Sequence, residues 1–190
     1  PRSDAIFALG PDPTPQLIDG VKLLRQAGAD FIIMPCVTAH YFYPGMAAEV
    51  DFPFISLLDE SALWVKEHLP DVTEVGLLCS TGTLEARIFH DAFARFDILV
   101  IGPEEEEQRR FENAVMGADG IKAGFTFGRP RDVIVEAAIR LIDRGAQAVI
   151  AGCTEVPLVL RSKDIAVPLI DPMEIVAEAS IRAAGYEVRE

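Results

Sequence analysis

Two cysteines in this 190-residue chain close segments that match each other. Leu24 to Cys36 and Leu141 to Cys153 align at one fixed offset, pairing Gly28 with Gly145, Ala29 with Ala146, Ile33 with Ile150 and Cys36 with Cys153. Further on, Phe52-Pro53-Phe54-Ile55 corresponds to Val167-Pro168-Leu169-Ile170 with a two-residue slip. Each copy therefore holds a helix, a Gly-Ala turn, an apolar strand, a cysteine and a later Pro-containing strand. Two such thiols across a cleft have a definite chemistry. Inverting a carbon centre needs a base on one face and an acid on the other, and a thiolate and a thiol exchange those roles at every turnover. Only the thiolate is basic, and a helix N-terminus after the strand helps to form it. Thr38 and Thr154, close behind the cysteines, each offer a hydroxyl and an N–H to a carboxylate.

Other fates of these residues are weighed on the same terms. A lone cysteine at the end of a buried strand is ordinarily a small core residue; the matched placement of Cys36 and Cys153 speaks against that. Cys79 also ends a strand but has no counterpart in the repeat, so it is read as structural. Cys36 and His40 stand four apart, and Cys153 would add a third metal ligand. A closed zinc site takes four ligands, usually in close pairs, and no Cys-x-x-Cys occurs, so no metal is expected. A Cys36–Cys153 disulfide is disfavoured in a reducing cytoplasm. His40 is read as capping, packing or touching the site. His68 and His90 fall on helices without partners and are expected at the surface. Glu104 to Glu107 follows Gly102-Pro103 and reads as a solvated helix start.

The elements that must position the cysteines alternate along the chain. Phe31 to Met34, Val75 to Leu78, Ile98 to Ile101 and Ala148 to Ala151 are continuous apolar runs, as expected of strands buried on both faces. Helical patterns cover Pro15 to Ala27, Asp59 to His68, Gly82 to Arg95, Glu104 to Met116 and Arg131 to Arg144. This order predicts an α/β fold with parallel sheets, in which ligands sit at the carboxyl ends of the strands. A pseudo-twofold between the copies brings those strand ends, and the two thiols, face to face.

The totals narrow the partners. Half the residues are hydrophobic and a quarter are charged, as in an ordinary globular protein. A net charge of −13 argues against a nucleic-acid or anionic-membrane partner, although an acidic whole can hold a small cationic pocket. Three cysteines do not resemble a secreted disulfide framework. No apolar run reaches the length of a membrane span and no signal peptide opens the chain, so cytoplasmic residence is expected. Pro1 to Gly10 does not read as the start of a folded domain, which leads us to expect an upstream stretch that was removed, is disordered or lies outside this sequence.

The residues also resemble a known family. Met34-Pro35-Cys36-Val37-Thr38-Ala39-His40 resembles the first cysteine motif of the aspartate/glutamate racemase family, Met-Pro-Cys-Asn-Thr-Ala-His, and Gly152-Cys153-Thr154-Glu155 resembles its second. Thr81-Gly82-Thr83 is similar to its Thr-Gly-Thr loop, and Val167 to Pro172 to its C-terminal strand. The resemblance spans essentially the whole chain. It implies two pseudo-symmetric α/β domains with the active site in the cleft between them. The first would be residues 1–52 and 166–190, without its opening strand and Gly-rich loop, and the second residues 53–165. It implies a homodimer, no pyridoxal phosphate or other cofactor, and no metal. Cys36 and Cys153 become the proton-transfer pair, and Val37, Thr38, Thr81, Gly82, Thr83, Thr154 and Glu155 line the site of a small amino-acid substrate. Arg2 matches the family's carboxylate-binding arginine, although its spacing to Leu9-Gly10 differs slightly. Glu155 favours the aspartate branch, since the glutamate branch tends to have His there.

Val37 departs from the pattern, replacing an Asn whose amide would bind substrate. The expected activity is therefore racemisation of an acidic amino acid, aspartate before glutamate. Hydantoin racemases, maleate isomerases and arylmalonate decarboxylases resemble the same family, so another small carboxylate stays open as substrate. A catalytically silent small-anion-binding homologue is the alternative of a different class.

Overall fold

The computed structural model describes residues 2–188, with the side chain of Arg2 outside the described part. The first copy and its surroundings comprise α1 (Arg2–Ile6), α2 (Thr14–Gln26), β1 (Ile32–Ile33), a 3-10 helix (Val37–Phe42), α3 (Tyr43–Glu49), β2 (Phe54–Ile55) and α4 (Leu57–His68). The middle of the chain adds β3 (Glu74–Leu78), α5 (Thr81–Glu85), α6 (Ile88–Ala94), β4 (Leu99–Ile101), α7 (Glu105–Met116) and a 3-10 turn (Ile121–Ala123). The second copy supplies α8 (Arg129–Asp143), β5 (Ala148–Ala151), α9 (Val156–Val159), β6 (Leu169–Ile170) and α10 (Pro172–Ala183).

The duplication seen in the sequence is reproduced bond for bond. Helices α2 and α8 both end on glycines in the left-handed conformation, Gly28 at φ 88° and Gly145 at φ 110°. In each, the next residue donates back across the turn: Ala29 N–H to Leu24 O and Ala146 N–H to Leu141 O, both 3.1 Å. The strands then pair in the same register, Ile32 opposite Phe54 and Val149 opposite Leu169, both parallel. Even the proline carbonyls serve alike, Pro53 O accepting from Ile32 N–H at 3.0 Å and Pro168 O from Val149 N–H at 2.9 Å. Each Pro-containing strand leads into a capped helix. Ser56 Oγ accepts from Asp59 N–H, and Asp171 Oδ1 accepts from Met173 N–H. The two helices so started, α4 and α10, pack against each other. Because alanine is strained at positive φ, Gly28→Ala and Gly145→Ala should each lower stability by roughly 1 kcal/mol, read as a shift in the urea unfolding midpoint.

The described residues form two parallel sheets, β1-β2 and β4-β3-β5-β6. The expected division after residues 52 and 165 runs across both, since β2 joins β1 and β6 joins β5. Side chains of the larger sheet alternate between two cores. Val75, Leu77, Ala148 and Ile150 face α4, α6 and α10, where Leu57, Val65, Phe89 and Phe93 are fully buried. Leu78, Val149 and Ala151 face α7 and α8, meeting Phe111, Ile134 and Leu141.

Four expectations need correction. The pattern over Gly82 to Arg95 forms two helices, because Arg87 adopts a left-handed conformation (φ 55°) between α5 and α6. Phe31 to Met34 pairs only at Ile32 and Ile33. The run Ile98 to Ile101 is an edge strand rather than one buried on both faces, and Leu99 is 57% exposed. The Glu104 to Glu107 run behaves as expected, forming a capping box at the start of α7. His68 is exposed as expected, whereas His90 is half-buried.

Candidate active site

Cys36 and Cys153 lie just beyond the carboxyl ends of β1 and β5, and Ser80 just beyond that of β3. β3 and β5 pair in parallel, so their ends point the same way, and the loops that follow β1, β3 and β5 line one cleft of about 260 Å³. Both cysteines line it, with Val37, Thr38, Ser80, Thr154 and Glu155. Both are free thiols and half-buried. A wider hollow of about 360 Å³ between α7 and α8 shares no lining residue with the cleft.

The two thiols have unlike surroundings. Cys153 Sγ donates to Glu155 Oε2 at 2.9 Å, and Thr154 Oγ1 donates to the same oxygen at 3.0 Å. Burial, then the Glu155 hydrogen bond and charge, push the Cys153 thiol up to about 12. Lys122 Nζ, 3.5 Å from Glu155 Oε1, works in the opposite sense. Burial alone would raise the Glu155 carboxyl, but its bonds to Cys153 and Thr154 and the charge of Lys122 hold it below the ordinary range. Cys153 is thus held in its thiol form. Cys36 is extended (φ −147°, ψ 108°) at the head of the 3-10 helix and makes no side-chain capping bond, so its thiol is left to the cleft.

Behind Cys36 three hydroxyls bond to one another. Thr38 Oγ1 lies 2.9 Å from Thr83 Oγ1 and 3.3 Å from Ser80 Oγ, and Ser80 and Thr83 are 3.0 Å apart. Thr83 is buried beneath the cleft and reaches it through Thr38 and Ser80. Thr81 is turned elsewhere, for its N–H and hydroxyl both donate to Glu112 Oε2 at 2.9 and 3.1 Å. Gly82 is covered by Ser3, so closely that a Cβ would sit 2.8 Å from the Ser3 side chain. Of the residues expected to line the site, Val37, Thr38, Thr154 and Glu155 do so; Thr81, Gly82 and Thr83 are not in its lining. The Arg2 side chain lies outside the described residues. Val37 borders the cleft but is only 5% exposed and packs into the main core. Cys79 is fully buried there, as expected of a structural residue.

Sequence reasoning missed Ser3, Ser80, Met116 and Lys122, all in the lining. Lys122 is the one Lys or Arg among the described lining residues. Its only signal in the sequence was a cation in a glycine-bounded loop, between Gly120 and Gly124.

A sequence profile described as Asp/Glu/hydantoin racemase matches residues 1–180. The broad specificity amino-acid racemase RacX of Bacillus subtilis is 24% identical over 165 residues, 87% of this chain and 69% of that protein. Among solved structures, the aspartate racemase of Picrophilus torridus aligns with a TM-score of 0.80 at 24% identity, covering 100% of this chain and 77% of its own. An aspartate racemase homologue from Pyrococcus horikoshii gives 0.75 at 26% identity, over 90% and 74% of the two chains.

Proposed function

The chain belongs to the Asp/Glu/hydantoin racemase family, and we propose that it inverts the α-carbon of an acidic amino acid by passing protons between Cys36 and Cys153. The observation that carries this is the pair of thiols, each from the equivalent point of a duplicated unit, on the wall of one small cleft.

A thiolate at Cys36 removes the α-proton from one face of the substrate. The electron pair left on carbon spreads into the adjacent carboxylate, giving a planar carbanion. Cys153, held as a thiol against Glu155, delivers its proton to the opposite face. The product is the mirror image, and the two sulfurs have exchanged states. Lys122 supplies positive charge for the substrate carboxylate in which negative charge accumulates, and the Thr38, Ser80 and Thr154 hydroxyls offer further donors. One sulfur takes the substrate's α-proton and the other supplies its replacement, so the proposed reaction routes no step through pyridoxal phosphate or a metal. We extend the proposal to a homodimer, as the family resemblance implies, and to residence in the cytoplasm, where its free thiols stay reduced. Aspartate is favoured over glutamate because Glu155 follows the second Cys-Thr.

Val37 supports a second reading. Its apolar side chain, packed into the core, leaves that point of the cleft without the amide donor of the family motif. That suits another small carboxylate, or a protein that binds such an anion without turnover. The test is to incubate the protein with each enantiomer of aspartate and glutamate in D₂O, following α-proton loss by NMR and enantiomers by chiral chromatography. Deuterated product of opposite configuration, faster from aspartate, is expected. Absence of both exchange and inversion with all four substrates overturns the proposal, and activity that appears only in Val37→Asn assigns the native protein to the second reading.

A further inference from the structure

His40 is buried, 5% exposed, in the 3-10 helix that follows Cys36. Its Nδ1 lies 3.1 Å from the Cys36 carbonyl oxygen. A carbonyl only accepts, so Nδ1 carries the hydrogen and donates. In the neutral ring that leaves Nε2 a bare acceptor, and this atom is buried with no partner among the described residues. Burial holds the ring in its neutral form, against the opposing pull of the Cys36 and Val37 carbonyls and of Asp59. The ring otherwise rests against Phe54 of β2, with centroids 5.5 Å apart.

Stability alone does not explain an imidazole at this point. The Cys36 carbonyl already accepts from Ala39 N–H at 3.1 Å, so it would remain bonded without His40. An apolar ring of similar size would fill the space against Phe54 and bury no unpaired nitrogen. The second copy shows that the unit does without it. Cys153 O accepts from Val156 N–H at 3.0 Å, the counterpart of the Ala39 bond, while the residue aligned with His40 is Pro157, which has no side-chain donor. Cys153 is instead supported at its sulfur, by Glu155. The copies have diverged so that one thiol is held through its side chain and the other through its backbone.

We propose that His40 is a positioning residue for Cys36: its Nδ1–H clamps the Cys36 carbonyl, fixes the extended backbone at that residue and so aims the sulfur into the cleft. The inference rests on the assignment of Cys36 as a proton-transfer thiol. A proton moving between sulfur and carbon is sensitive to small misplacements, whereas substrate affinity, set by Lys122 and the hydroxyls, is not. His40→Phe should therefore lower kcat by roughly ten- to a hundredfold with KM changed less than about twofold, while its Tm stays level or rises. His40→Asn, whose amide N–H replaces Nδ1–H, should recover most of the rate; His40→Leu, of nearly the same volume, should not. The Asn/Leu pair decides the matter should Phe prevent folding.

Iodoacetamide labelling resolved by peptide mass spectrometry gives a readout that needs no substrate. In His40→Leu the labelling rate of Cys36 should change threefold or more while that of Cys153 stays constant, and His40→Asn should return it toward the native value. That pattern in a protein that racemises nothing would leave the clamp standing and remove the racemase assignment. Equal changes at both cysteines, no change at Cys36, or an Asn variant indistinguishable from Leu would overturn the clamp.

Discussion

Alanine at either Cys36 or Cys153 is expected to slow enantiomer interconversion by roughly 10³-fold or more, with circular dichroism and thermal unfolding close to native. Each thiol serves one face of the substrate, so neither can replace the other. The remaining sulfur can still take a proton and return it to the same face. Exchange in D₂O should therefore survive for one enantiomer only, and for opposite enantiomers in the two variants. In Cys153→Ala the retained exchange belongs to the enantiomer whose α-hydrogen faces Cys36. Either variant keeping more than a tenth of the native interconversion rate would sink the two-base mechanism, whatever the family affiliation.

Glu155→Gln should expose how Cys153 is held protonated. The native thiol is displaced from the ordinary 9.0 to about 12, by burial first and then by Glu155. Removing the carboxylate charge leaves burial in place but makes ionisation easier, and each unit of pKa is about a tenfold change in thiolate fraction. Labelling of Cys153 by iodoacetamide in mildly alkaline solution should accelerate by roughly tenfold in Glu155→Gln. It should slow in Lys122→Met, which removes the charge that opposes Glu155. Unchanged labelling in both variants would show that burial alone sets the thiol. The raised pKa also gives the fold an alkaline limit. The unfolded thiol ionises near 9.0 and the folded one near 12, so the stabilisation from the neutral thiol is complete below pH 9 and lost as the pH rises toward 12. Cys153→Ala should lack that part of the decline.

The repeat was legible because its marks are local. A left-handed turn selects Gly28 and Gly145, and a strand buried between layers is written as a continuous apolar run. Cys36 and Cys153, placed by those elements, could be matched before any geometry was known. Other features depend on contacts that no spacing encodes. Thr81 looks like a substrate ligand until Glu112, from the facing side of α7, takes both its donors. Lys122 lies in a short turn with no periodicity and reaches the cleft only because α7 ends beside it. The break at Arg87 had no glycine or proline to announce it. Thr83 illustrates the intermediate case, expected in the lining from its motif but lying one hydrogen bond behind it.

The unequal settings of the two sulfurs carry a thermodynamic consequence. Mirror-image amino acids have the same free energy in water, so the equilibrium of the proposed reaction lies midway whatever the protein does. The Haldane relation then requires kcat/KM to be equal in the two directions. Glu155 beside one sulfur and a backbone clamp behind the other cannot make the enzyme favour one product. Their asymmetry is confined to compensating differences: the enantiomer bound more tightly must also turn over more slowly, by the same factor.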